Sequence, residues 1–154
     1  MKLSALLRPE LTCAQAPGLS KKRVLEFVAD LIAEHTNELI ADPLYQALLA
    51  RERLGSTGIG GGIAVPHCRV AECERPVAAF LKLDSPVDFD AIDNEPVDMV
   101  FALVVPEGQE SEHLTILARI ASICQDQAAV RRLRTLTSAD ELWHQLIDLD
   151  EANS

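Results

Sequence analysis

Long apolar runs are missing from this 154-residue chain. None approaches the roughly 18 residues that a membrane span needs, and Met1 to Pro9 loses its apolar character too early for a signal peptide. A cytoplasmic protein without direct membrane insertion is expected. Positive charge is scarce as well: 14 Lys and Arg stand against 24 Asp and Glu, a net charge of −10. Such an excess of acid repels nucleic-acid backbones and anionic membranes, so neither is expected as a partner. The four cysteines, Cys13, Cys68, Cys73 and Cys124, form no C-x-x-C pair and read as reduced thiols. Internal repeats, low-complexity tracts and Pro/Gly/Ser-rich linkers are absent too. Residues 1–154 therefore read as a single domain with a loose tail after about Leu149.

What is present is enough apolar material for a core, 48% against 25% charged. Behind Ser20, apolar residues Val24, Phe27, Val28, Leu31 and Ile32 recur at helical spacing to about His35. Asp42-Pro43 reads as an N-cap with proline at the first helical position, opening a helix through Leu44, Leu48 and Leu49 that stops against Gly55. Three β-type runs follow: Ile63 to Val65, Val77 to Leu83 and Val97 to Val105, the last apolar enough to be covered on both faces. Helices are predicted over Ser111 to Ile123 and Gln127 to Leu136, then after the capping box Ser138-Ala139-Asp140-Glu141. Helices before, between and after strands indicate an α/β layered domain with a central mixed β-sheet flanked by helices.

Glycines crowd one segment: Gly55, Gly58, Gly60, Gly61 and Gly62 lie just before Ile63-Ala64-Val65-Pro66-His67. Two nucleotide motifs fail on spacing. G-x-G-x-x-G from Gly58 would need glycine where Ile63 stands, and a Walker A loop from Gly55 would need lysine where Gly61 stands. The order is also reversed, since those loops run from strand to helix. What remains is a backbone that another molecule can approach closely and whose N–H groups could face an anion. It leads to an imidazole presented after a stiff proline, a competent nucleophile toward phosphorus. Zinc held by His67, Cys68 and Cys73 is disfavoured by adjacent ligands and the want of a fourth.

With Arg51-Glu52 before it, the stretch Gly55-Ser56-Thr57-Gly58-Ile59 through Gly62-Ile63-Ala64-Val65-Pro66-His67 resembles the phosphorylation-site signature of the fructose/mannitol-type enzyme IIA domains of the bacterial phosphotransferase system. The wording is closest to the nitrogen-related enzyme IIA. Ser20 to Arg23, Phe89 to Asp98, Phe101 to Pro106, His113-Leu114 and Arg131-Arg132-Leu133 agree, so the resemblance spans roughly residues 3 to 148. One departure is Cys68, where the family commonly has glycine; a packed, inert thiol is the favoured reading there.

The resemblance implies that His67 accepts a phosphoryl group from an HPr-like phosphocarrier, itself fed by enzyme I and phosphoenolpyruvate. Which ring nitrogen reacts stays open. Arg51 and His113 would stabilise the phosphoryl group, and Gly55, Ser56, Thr57, Gly58, Ile59, Gly60, Gly61 and Gly62 would form the phosphoryl- or partner-binding loop. No metal or cofactor is implied. Such a chain would be a phosphotransferase component acting mainly as a regulator of targets such as sensor kinases or potassium-transport proteins. The alternatives are a sugar-specific enzyme IIA that passes phosphate to a separate IIB, and a non-catalytic binding module on the same fold. A shared site requires His113 and Arg51 within about 10 Å of the His67 ring, a reach set by the fall of Coulomb interaction with distance. The three should meet in a shallow depression with apolar residues at its rim, Ile59 among them.

Overall fold

The structure, a computed structural model, describes residues 1–153. Its organising element is β6 (Val97–Pro106), whose residues Met99 to Val105 are all buried. β5 (Val77–Val87) runs antiparallel beside it, with Ala78 opposite Leu103 and Phe80 opposite Phe101. On the outer side of β5 lies β1 (Thr12–Ala16), parallel to it. The other edge of β6 is shared by two short parallel strands in succession, β3 (Ile63–Ala64) against Met99 and Val100, and β4 (His67–Val70) against Leu103 to Pro106. β2 (Gly58–Gly60) closes the sheet antiparallel to β3. This is the expected mixed sheet, with three more strands than the sequence pattern announces.

α1 (Lys21–Glu34) starts where the Ser20 hydroxyl accepts the Arg23 N–H at 3.2 Å, and it buries Val24, Leu25, Val28, Ala29 and Ile32. α2 (Ala41–Leu54) begins earlier than Asp42-Pro43 implies: Ile40 is its N-cap, so Pro43 sits inside the first turn, where no helical N–H partner is lost. The two helices pack on each other. α3 (Glu110–Gln125), α4 (Gln127–Thr135) and α5 (Ala139–Ala152) follow β6. From them Ile123, Val130, Leu133 and Leu146 meet Ile63, Phe80, Met99 and Phe101 of the sheet. The Ser138 hydroxyl accepts the Glu141 N–H at 3.1 Å, as the capping box requires. Among the described residues no helix is long and apolar enough to cross a membrane.

Among the described residues, the loose tail expected after Leu149 is not found. α5 continues to Ala152, and Asp150 is buried, accepting the Leu3 N–H at 2.7 Å and the Arg119 Nε–H at 2.7 Å. An acidic residue near a terminus reads as solvated; here a guanidinium from α3 and an orphan backbone donor at the other end of the chain make its burial tolerable.

Candidate functional site

β3 and β4 would be one strand but for Val65-Pro66. Proline has no N–H for the ladder, yet its carbonyl accepts the Leu103 N–H at 2.9 Å and keeps the chain on β6. His67 therefore opens β4, a strand separate from β3. It lies opposite Leu103, close to the carboxyl end of β6. That strand ends at Pro106, Gly108 turns with φ +84°, and α3 begins. The first turn of α3 brings His113 back over β4. The ring centroids of His67 and His113 are 5.3 Å apart at an interplanar angle of 63°, well inside the distance a shared site requires.

Arg51 comes from the last turn of α2 and lines the same open depression, about 810 Å³ in volume, as both histidines. Its Nη1 donates to the Gly55 carbonyl at 2.9 Å, which holds the guanidinium stem against the helix end. Ala47, Ala50 and Leu54 supply the apolar part of the wall; Glu107, Gly108 and Glu110 form the opposite side. Ile59 is exposed but is not among the lining residues, so the rim is made by α2, with Leu54 85% exposed, and not by the glycine run.

The ring nitrogens of His67 are distinguished by the backbone. Nδ1 lies 2.8 Å from the Val65 carbonyl oxygen, which can only accept, so Nδ1 bears the proton and Nε2 keeps its lone pair. Burial is the main cause that pushes the His67 pKa below the ordinary 6.5, opposed by the Val65 carbonyl and assisted by the charges of Arg51 and Arg69. His113 is lowered in the same direction, chiefly by burial and then by His67, Arg69 and Arg51. Both shifts favour the neutral imidazole. His113 Nε2 is buried without a hydrogen-bond partner, an unmet polar atom beside the His67 ring.

Three N–H groups of the glycine run are used internally: Thr57 donates to Glu52 Oε2 at 2.9 Å, Gly58 to Ser56 Oγ at 3.0 Å and Gly61 to Asp93 Oδ2 at 3.0 Å. None of Gly55, Ser56, Thr57, Gly58, Ile59, Gly60, Gly61 and Gly62 lines the depression. The glycines answer local needs. A Cβ on Gly58 would stand 2.8 Å from the Ala91 Cβ, and Gly60 to Gly62 turn between β2 and β3 with φ of +94°, +66° and +81°. That turn sits beside Asp98 and Arg134, near the start of β6, whereas His67 is near its end.

Three residues escaped the sequence reading. Glu52, 5% exposed, accepts from Thr57 N, from Thr57 Oγ1 at 2.6 Å and from Lys21 Nζ at 3.0 Å, tying α1, α2 and the segment toward His67 together. Arg69 and Glu110 pair at 3.2 Å across the depression. The alternation of a strand was the available signal for Arg69, since it puts residues two apart on one face.

The whole arrangement can be set beside known proteins. Residues 5–148 match the family model described as "Phosphoenolpyruvate-dependent sugar phosphotransferase system, EIIA 2". The chain belongs to this family. Among its EIIA relatives is the nitrogen regulatory protein of Pseudomonas aeruginosa, 47% identical over 97% of each chain. The crystal structure of the nitrogen regulatory protein IIA-Ntr from Neisseria meningitidis superposes with a TM-score of 0.88 at 35% identity, over 94% of this chain and 98% of that one. A mannitol IIA of Escherichia coli, solved in complex with phosphorylated IIB, shares the fold with a TM-score of 0.74 at 21% identity, over 92% of this chain and 98% of that one. EIIA proteins take phosphate from a phosphocarrier and pass it on. At the position after the histidine, this EIIA chain carries Cys68, 6% exposed, its thiol pushed up to about 12 by burial. It is a packed side chain with little thiolate character.

Proposed function

We propose that this chain is a phosphohistidine relay and regulator of the nitrogen-related phosphotransferase type. It accepts a phosphoryl group on His67 Nε2 from an HPr-like phosphocarrier charged by enzyme I and phosphoenolpyruvate. The observation that carries this reading is the bond between His67 Nδ1 and the Val65 carbonyl. It leaves the Nε2 lone pair as the free nucleophile in a depression that also contains His113 and Arg51.

In the transfer, His67 Nε2 forms a bond to phosphorus while the phosphorus–nitrogen bond to the donor imidazole breaks, and the donor ring keeps that electron pair. The Nδ1 proton of His67 stays in place. The positive charge that the phosphorylated ring acquires falls on the N–H that points at Val65 O, so the carbonyl dipole stabilises it. Arg51 faces the charge spread over the equatorial oxygens, and His113 offers the phosphoryl group the ring nitrogen that has no partner in the free protein. Apolar Leu54, Ala50 and Ala47 give the donor protein a docking surface that the overall charge of −10 does not repel. Phosphorylation replaces a neutral imidazole with a dianionic group at this surface, enough to exchange one set of targets for another, sensor kinases and potassium-transport proteins among the expected kinds.

The reading is tested by incubating the protein with phosphoenolpyruvate, enzyme I and the phosphocarrier. Acid-labile phosphate should appear on wild type, vanish in His67→Ala, and form more slowly in Arg51→Ala and His113→Ala. Nitrogen NMR of the His67 ring should find Nδ1 protonated and phosphorus on Nε2. Labelling that persists in His67→Ala overturns the assignment, and phosphate passed onward through a IIB protein to a sugar would favour the sugar-specific alternative.

A further inference from the structure

Arg69 lies two residues beyond His67 in β4, on the same face of the strand, and both side chains line the depression. Its Nη1 donates to Glu110 Oε1 at 3.2 Å, with 47% and 61% of the two side chains exposed. An ion pair so open to water holds weakly. The other guanidinium on the depression, Arg51, is already engaged with the Gly55 carbonyl, while Arg119 and Arg134 are committed to Asp150 and Asp98 away from it.

We propose that Arg69 changes partners when His67 is phosphorylated. The guanidinium leaves Glu110 for the phosphoryl oxygens, and the freed carboxylate is uncovered at the mouth of the depression. This rests on the phosphohistidine reading above. A dianion with three oxygens outbids one exposed carboxylate, and a guanidinium can engage two of those oxygens at once. Glu110 is not stranded by the exchange, because it is the first residue of α3 and the positive end of the helix dipole still faces it. Arg51 and Arg69 together then match the two charges of the phosphoryl group. Outside, the neutral pair is replaced by an acidic edge of Glu107 and Glu110, so the modification is read some distance from the phosphorus itself.

The test uses the full chain. Phosphoramidate phosphorylates imidazole directly: the ring nitrogen attacks phosphorus and ammonia leaves. The Arg69 Nε–H signal, assigned by its loss in Arg69→Lys, should shift when His67 is phosphorylated, and Glu110→Gln should shift it in the unmodified protein. In equilibrium with the phosphocarrier, Glu110→Gln should raise the phosphorylated-to-free ratio about threefold, and Arg69→Ala should lower it about tenfold. In the Arg69→Ala background the gain from Glu110→Gln should shrink. An Arg69 signal indifferent to phosphorylation, or a Glu110→Gln gain of equal size in both backgrounds, overturns the exchange. If phosphoramidate labels His67 and Arg69 responds while the phosphocarrier transfers nothing, the relay reading fails and the exchange stands.

Discussion

Replacing Glu52 with alanine removes one carboxylate and breaks three contacts at once. Thr57, 4% exposed, loses the acceptor for its N–H and for its hydroxyl, and of its two carboxylates Lys21 keeps the weaker, Asp90, at 3.4 Å and itself 79% exposed on its side chain. A buried donor left unmet costs about 1–3 kcal/mol, and removal of one partner of a buried ion pair about 3–5 kcal/mol. These overlap, so Glu52→Ala should cost about 3–5 kcal/mol, a large part of the roughly 5–15 kcal/mol that holds a domain together. Glu52→Gln preserves the volume and one acceptor, and the Thr57 hydroxyl can turn to accept from the amide; about 1–2 kcal/mol is expected. Asp90→Ala, at an exposed carboxylate, should cost under about 0.5 kcal/mol. Urea unfolding followed by circular dichroism measures all three. The effect reaches the site through the backbone, since the Thr57 carbonyl accepts the Val65 N–H at 2.9 Å and the Val65 carbonyl holds His67. Glu52→Ala should therefore also slow phosphorylation of the fraction that remains folded. A stability loss below about 1 kcal/mol, or equal losses for the alanine and glutamine variants, would refute the clamp.

Two further outcomes follow from the same structure. His67 and His113 both have pKa values lowered from 6.5, so just below that value the unfolded chain binds protons that the folded chain refuses. Stability should thus fall as pH drops beneath the ordinary imidazole value and be indifferent to these groups well above it; a His67→Gln/His113→Gln variant should show a shallower fall between about pH 7 and 5 in urea midpoints, and an unchanged slope would count against the buried neutral pair. Ending the chain at Leu149 removes the acceptor of Leu3 N and Arg119 Nε, and should cost about 2–4 kcal/mol by thermal or urea unfolding, where a loose tail would cost nothing measurable.

Elements with a strong side-chain period were legible in the sequence, and those written in small residues were not. α1, α3 and α5, and the long strands β5 and β6, announce themselves through leucine, isoleucine and valine. β1 reads Thr-Cys-Ala-Gln-Ala and β2 reads Gly-Ile-Gly, and their strand character comes from the ladder they complete. The family signature located His67, Arg51 and His113, which the fold brings to one depression. It also drew in the glycines, none of which lines that depression: helix end, close approach to Ala91 and hairpin turn are three separate demands in one short segment. Glu52 stayed hidden because its partner Lys21 lies a whole helix upstream, and a buried carboxylate looks like any other in sequence.

The tautomer of His67 has a consequence for how such a protein changes over time. The atom that holds the proton on Nδ1 is a main-chain oxygen, and no codon encodes it. Val65 can drift among side chains that fit its buried place without touching the acceptor. In enzymes whose catalytic histidine is oriented by an aspartate, a single substitution can flip the ring's proton to the wrong side. Here no side chain holds that proton, so the failure would need a rearrangement of the chain between β3 and β4.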